Sequence, residues 1–368
     1  MSPRAVLSWI AMALVAIYMG NKLYEVPVIS KTKIPSYVYW LATWMLIILA
    51  SERKSLLFGY IIYVFLLFVV YDVVAMIMRK IRPTWYTRMN RVYMHGFLVL
   101  CISLVIAAYG YYNSSHTVIT DYHVTIDKKM LRADPMRILM ISDTHVGTAI
   151  GKQELAQLVE RINARKPDMV CLAGDIIDEN TPESMYEYVY DTLGKIQSAY
   201  GTYYVCGNHE LYTKQGYQKI AEGFRKRGIT PLLDETYLVA DSFYLIGRLD
   251  YDLVREGGTR KSLSYLMRGV DHSYPVILLD HQPIQYEEAK KEGVDLVMSG
   301  HTHNGQLYPG NYLILLGNEV GYGYRENGSL KEVVSSGAGT WGFAMRVGSS
   351  SEIVELIVEG NEAKLAQE

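Results

Sequence analysis

Five short apolar runs in this chain each end abruptly in a turn that carries Asp, Asn or His, and that repetition narrows the folds open to it. The runs are RILMIS, DMVCLA, TYYVC, PVILLD and DLVMS. The turns that follow are Asp143-Thr144-His145, Gly174-Asp175, Gly207-Asn208-His209-Glu210, His281 and Gly300-His301-Thr302-His303. Each run reads as a β-strand. Polar, ligand-type side chains gathered at the carboxyl ends of strands sit where α/β folds place their chemistry.

Taken singly, most of these turns are weak signals. Asp143-Thr144-His145 alone reads as a capping Asp beside a surface His, Gly174-Asp175 as an ordinary strand-to-loop turn, and His281 as a satisfied loop histidine. Gly300-His301-Thr302-His303 is the strongest piece, because two His at a spacing of two after a strand rarely serve packing. Together the turns take up five of the nine histidines, which is hard to explain as packing. His116, His123 and His272 lack such context and read as surface residues. Asp178 and Glu179 could orient site groups, but a solvated loop face is the simpler reading. Thr340-Trp341-Gly342-Phe343 suits either a pocket wall or a core aromatic with small neighbours.

The chain is 368 residues long and half hydrophobic, and the apolar excess is concentrated in its first third. Four apolar stretches, near 5–20, 35–50, 56–78 and 92–112, read as membrane-spanning helices; 56–78 is amply long, and the first two need their flanks. Arg4 before the first stretch resembles a secretory signal, but no small-residue cleavage site follows. Lys and Arg crowd the loops after the first and third stretches, about eight against about three on the other side, so those loops should be cytoplasmic. Four spans then leave the C-terminal part on the extracytoplasmic face. Asp72, in the third stretch, is expected to pair locally with Arg79, Lys80 or His95. A formal net charge of −2 gives no electrostatic case for a nucleic-acid partner. Three cysteines make no disulfide framework; Cys171 and Cys206 read as buried thiols and Cys101 as part of a span.

These features divide the chain into a four-helix transmembrane region, 1–112, and an α/β region, 113–368. In the latter, Tyr122–Ile126 alternates like an edge strand. Residues 152–166 put Leu155, Leu158, Val159 and Ile162 on one helical face. The span 182–199 does the same with Met185, Val189, Leu193 and Ile196, and a helix over 214–227 should stop at Gly228. FYLIG, NYLILLG, EVVSSG and EIVELIV read as further strands, and Arg255–Arg260 as a solvated loop.

The turn residues supply two Asp, one Asn and several His, with no Cys. That hard-to-borderline donor set suits Mn, Fe or Zn in an open site rather than a structural zinc. Two such cations about 3.5–4 Å apart neutralise phosphate oxygens and bring the pKa of a bound water down to about 7. The turns, in this order, resemble the signature of calcineurin-like metallophosphoesterases, and the similarity covers roughly 120–360. GHTHNGQLYPG and SSGAGTWGFAMRVGSSSEI resemble the membrane-associated bacterial branch of YkuE/YaeI type. That branch more usually has Gly at the position of Asn304 and often Pro near Ala344.

The resemblance implies a four-layer sandwich of two mixed sheets flanked by helices. It further implies that Asp143, His145 and His303 hold one metal, that Asn208, His281 and His301 hold the second, and that Asp175 bridges them. A bridging hydroxide would attack phosphorus, and His209 would protonate the leaving oxygen. The expected function is therefore a membrane-anchored phosphohydrolase acting on a monoester, diester or pyrophosphate. Anchoring in the lipid bilayer makes a lipid-linked or envelope substrate attractive. The alternatives are a catalytically silent metal-binding receptor or scaffold, or the regulatory domain of a transporter.

Overall fold

The computed structural model describes residues 3–52, 55–93, 96–128 and 135–361. It divides into two compact units. One is Met1–Tyr112 with Gly342–Met345; the other is Asn113–Trp341 with Arg346–Glu368.

In the first unit, Val6–Tyr24, Leu56–Ile81 and Phe97–Ser115 are helices long and apolar enough to cross a membrane. The second apolar stretch forms a shorter helix, Ser36–Glu52, of 17 residues, at the lower limit for a span. The last helix starts later than the apolar stretch suggested, beyond Gly96, whose φ of 90° is a left-handed conformation that favours glycine. The first two helices pack closely at Gly20, where a Cβ would lie 2.7 Å from Trp40 Cδ1. Small residues let membrane helices approach in this way. Asp72 pairs across helices: Lys22 Nζ lies 2.7 Å and Tyr18 Oη 2.5 Å from its carboxylate. The expected partners on its own helix, Arg79 and Lys80, are two turns away, and His95 lies outside the described residues.

The second unit is built on two six-stranded mixed sheets. The first sheet runs in the order β1 (Val118–Ile126), β12 (Glu352–Gly360), β2 (Met136–Ile141), β3 (Met169–Ala173), β4 (Thr202–Val205), β5 (Ile229–Pro231). The second runs β10 (Gly323–Asn327), β11 (Leu330–Val334), β9 (Leu296–Ser299), β8 (Val276–Leu279), β7 (Phe243–Gly247), β6 (Glu235–Val239). Strands β2 to β5 are mutually parallel, as are β7, β8, β9 and β11. The Tyr122 segment is an edge strand, as its alternation suggested.

Strand alternation distributes the core between layers. Leu139, Ile141, Val170 and Leu172 face outward onto the helices Lys152–Ala164, Glu183–Leu193 and Tyr217–Arg225. Ile138, Met140 and Cys171 face inward and meet Leu245, Ile277, Met298 and Val333 of the second sheet. The outer face of that sheet packs Ile246, Leu278 and Val297 against Leu263, Leu266, Tyr286 and Ala289. The result is helices, sheet, sheet, helices, the four-layer sandwich that the sequence led us to expect. Cys171 and Cys206 are buried free thiols in different layers.

Three expectations are corrected. NYLILLG is not a strand but a helical turn, Gly310–Leu313, followed by a 3₁₀ turn, Ile314–Leu316. The helix expected over 182–199 ends at Leu193, and Tyr186 and Tyr190 share its buried face. Arg260 is not solvated, because its guanidinium is buried against Asp280 at 3.2 Å.

The Asp72 pair yields a test. Asp72→Leu or Lys22→Leu alone leaves one charge unpaired and should lower the thermal midpoint of the chain in nanodiscs. The double variant should recover part of the loss, with a coupling on the order of 1 kcal/mol. Additive losses would rule the pair out.

Candidate metal centre

Every turn singled out from the sequence follows a parallel strand: Asp143 after β2, Asp175 after β3, Asn208 after β4, His281 after β8 and His301 after β9. The backbone there is unusual. Asp143, His145, Asp175, His301 and His303 all have left-handed φ, between 41° and 72°. Each such non-glycine residue costs about 1–3 kcal/mol and persists only where its surroundings over-determine it. Asn304, at a position where Gly is more usual in the resembling branch, also has φ 48°, which Asn tolerates better than most residues. Two glycines explain the recurrent Gly before a ligand. A Cβ on Gly174 would lie 2.5 Å from His281 Nδ1, and one on Gly300 would strike the Asp143 carboxylate.

The donor atoms form three overlapping groups, each with its atoms within 4.8 Å of one another: Asp143, His145 and His303; His145, Asp175 and His209; Asp175, His281 and His301. Asp175 belongs to two of them. Its Oδ2 lies 3.0 Å from His281 Nε2 and 3.9 Å from His145 Nε2. His145 Nε2 and His303 Nε2 are 3.1 Å apart, and Asn208 Oδ1 is 2.8 Å from His301 Nδ1. All seven sequence-designated ligand positions thus converge, with His209 beside them. Oxygen and imidazole donors turned on one another in a buried pocket are a set that fits divalent cations.

Supporting bonds orient the rings. Asp178 Oδ2 lies 3.1 Å from His145 Nδ1, Glu179 Oε2 lies 2.8 Å from His209 Nδ1, and His281 Nδ1 is 2.7 Å from the Ala173 carbonyl. A partner at Nδ1 leaves Nε2 free to ligate or react. The reading as a solvated face holds for Glu179, which is exposed although it reaches His209, and fails for Asp178. Asp178 is fully buried because the chain turns inward after β3, and a four-residue fragment carries no signal of that.

Two residues received no role from the sequence. Glu210 is buried, and its carboxylate accepts from the backbone N–H groups of Asp175, Ile176, Ile177 and Gly207 at 2.7–3.1 Å. It ties the turn after β3 to the turn after β4. A Glu three residues after Gly207 was the available signal, as in a capping box. Arg346, also buried, donates to the carbonyls of His303, Gly339 and Ser336. It clamps the GHTH turn to the segment after β11, and nothing local in the sequence points to it.

The charges are unbalanced in one direction. Burial opposes a charged ring at His281, but Asp175 and Asp143 push it well above the usual histidine range. Burial likewise opposes protonation of His209, yet Asp175 and Glu179 raise it to about 9. By contrast, burial and His281 hold His301 down to about 4, and burial with His145 and Arg346 holds His303 well below normal. Neutral rings can ligate, and the carboxylate pair attracts positive charge.

The centre opens onto a cleft of about 290 Å³ lined by Asp175, His209, His301, His303, Gln306 and Trp341 among others. Trp341 is half exposed, with its ring centroid 6.2 Å from that of His209, so it walls the cleft rather than filling the core. His116, His123 and His272 are exposed. A larger cavity of about 480 Å³ lies in the membrane unit, lined by residues such as Leu67, Val70 and Ile102; it has no catalytic groups.

Known proteins resemble the chain in the following ways. Residues 136–305 match the family model described as calcineurin-like phosphoesterase. An uncharacterized metallophosphoesterase of Helicobacter pylori is 35% identical over 60% of this chain and 59% of its own length. One from Aquifex aeolicus is 31% identical over 70% of this chain and 98% of its own, and YkuE of Bacillus subtilis is 26% identical over 67% and 87% respectively. The chain spans about three fifths of the length of the Helicobacter relatives it matches.

Asp178 offers a test separate from turnover. Asp178→Ala removes the acceptor that orients His145 and should weaken divalent-metal binding about 10–100-fold in a titration of the full chain. Unchanged affinity would show that Asp178 does not support the centre.

Proposed function

Because the chain belongs to the calcineurin-like metallophosphoesterases, metal-dependent hydrolases of phosphoric esters, we propose that the converging turns are its reaction centre. Asp143, His145 and His303 would hold one divalent cation there, and Asn208, His281 and His301 would hold the second, with Asp175 placed to serve both. The observation that carries this reading is the place of Asp175 between the two clusters: it groups with His281 and His301 on one side and with His145 on the other, and His145 groups in turn with Asp143 and His303, as a bridging carboxylate requires. When bound, Mn, Fe or Zn ions would neutralise phosphate oxygens and supply hydroxide from a water acidified to a pKa of about 7.

The chain's own residues supply the rest. Asp178 and the Ala173 carbonyl hold the rings of His145 and His281 in position. Glu179 accepts from His209 Nδ1, so Nε2 is the nitrogen left to protonate the departing oxygen. The Glu179 carboxylate at 2.8 Å favours the protonated form of the ring. Trp341 walls the cleft beside it.

The N-terminal helices associate the chain with a membrane. The proposal extends to a multi-pass arrangement in which Ser36–Glu52 also crosses, with the phosphoesterase unit on the extracytoplasmic face as the Lys and Arg distribution favours. Tethering raises the effective concentration of membrane substrates, which favours lipid-linked or envelope phosphoesters over nucleic acid.

Hydrolysis of p-nitrophenyl phosphate and bis-p-nitrophenyl phosphate by the metal-stripped chain, with Mn added back, tests the centre. Turnover should depend on added metal and vanish in Asp175→Asn. His209→Ala should retain metal but lose about 10²–10⁴-fold in rate. Turnover that survives metal stripping would refute the mechanism, and metal binding without hydrolysis of either ester would favour a silent scaffold.

A further inference from the structure

The segment misread as a strand is the most anomalous surface of the phosphoesterase unit. From Leu307 to Gly317 the chain carries no charged side chain. Tyr312, Leu313, Leu315 and Leu316 are 62%, 64%, 58% and 85% exposed, and Tyr308 and Trp341 are about half exposed. Scattered apolar residues on a surface are ordinary, but consecutive leucines at the tip of a loop mark an interaction site.

The loop is also firmly mounted. It leaves the turn His303–Gly305 directly, Tyr308 N–H donates to the Val347 carbonyl at 2.7 Å, and the Tyr308 and Tyr312 rings meet edge to face. Gln306 at its base bonds both ways with the Trp341 backbone, at 3.0 and 2.9 Å. Gln306 and Trp341 both line the cleft. The apolar tip is thus coupled through one short segment to the mouth of the metal centre.

We propose that the loop Tyr308–Leu316, with Trp341, inserts into the interfacial layer of a phospholipid membrane and docks the metal centre on it. Leucines at the tip with Tyr and Trp at the rim is the distribution of groups that seat at a bilayer interface. A bilayer is also the apolar partner always within reach. Only His116 and Thr117 separate the end of the last apolar helix, Ser115, from the start of β1 at Val118, about 10 Å of extended chain. The docked loop presents the cleft to phosphoesters in lipid headgroups. That consequence rests on the proposed hydrolase function, whereas the insertion itself does not.

The test uses the full chain in phosphatidylcholine–phosphatidylglycerol nanodiscs, one copy per disc. An environment-sensitive fluorophore is placed at Leu316→Cys in a Cys101→Ser background; Cys171 and Cys206 are buried. Insertion should shift emission to the blue and cost most of the intensity when the lipids carry nitroxide at shallow acyl positions. Adding Leu313→Asp and Leu315→Asp should restore the intensity. Quenching by aqueous iodide instead would place the loop in water and overturn the proposal. Protection from both quenchers would mean that protein rather than lipid covers the loop, and would overturn it equally. Hydrolysis of bis-p-nitrophenyl phosphate, followed on the same sample, separates the two readings: quenching without turnover would sink the enzyme and leave the docking loop standing.

Discussion

The geometry of the centre depends on one buried carboxylate. Glu210 accepts four backbone N–H groups from two turns. Taking a carboxylate out of water costs several kcal/mol, and charge-assisted bonds to otherwise unpaired backbone donors offset that cost. Burial and the Asp175 charge still raise its pKa to about 7, against the pull of those N–H groups. Asp175 can sit with left-handed φ, next to a glycine that admits the His281 ring, because Glu210 takes up the backbone donors that such a turn exposes. A residue that touches neither ester nor metal thereby sets where the bridging carboxylate stands.

The same logic runs through the electrostatics. Asp143 and Asp175 are buried together, and Asp143 is pushed upward by burial and by its neighbour, with His281 opposing. His281 accordingly holds a proton more tightly than an ordinary histidine, while burial, with His281 beside His301 and with His145 and Arg346 beside His303, holds those two rings low. A site of this kind is stable with protons on some rings or with cations in their place, and the two compete for the same atoms. Arg346 supplies fixed positive charge behind His303: its guanidinium donates to the carbonyls of His303, Ser336, Gly337 and Gly339 and lies 3.2 Å from His303 Nδ1, which leaves Nε2 free.

The strands and the turns that converge at their ends were legible in the sequence because each reports itself locally. Apolar runs such as DMVCLA carry no competing helical period, and a Gly-Asp or Gly-His that ends one marks a turn where the chain must come close to another segment. Helix Lys152–Ala164 was equally plain from its four buried positions. Helix Glu183–Leu193 was overextended because a stripe through Ile196 continued the period, while the tyrosines that complete its buried face are amphipathic and read ambiguously. Asp178, Glu210 and Arg346 were not legible as supports because their partners lie in turns distant along the chain. For Arg346, the His303 carbonyl is 43 residues away. The Lys22–Asp72 pair was missed for the same reason, since pairing along one helix can be counted in residues and pairing between helices cannot.

The misreading of NYLILLG has a different cause. An apolar run is evidence of burial, and inside a soluble domain burial of so short a run means a strand or a core helix. That inference assumes that the protein supplies the apolar partner. Here Gly305 at φ 69° turns the chain tightly, and no strand of either sheet accepts the segment; it closes on itself through short-range bonds such as Gly310 N–H to the Leu307 carbonyl. Its leucines are left facing outward. In a chain with helices long and apolar enough to cross a membrane, the assumption has a competitor, the lipid phase that we propose receives this loop. Hydrophobicity then no longer separates core from surface; it separates what faces water from what does not.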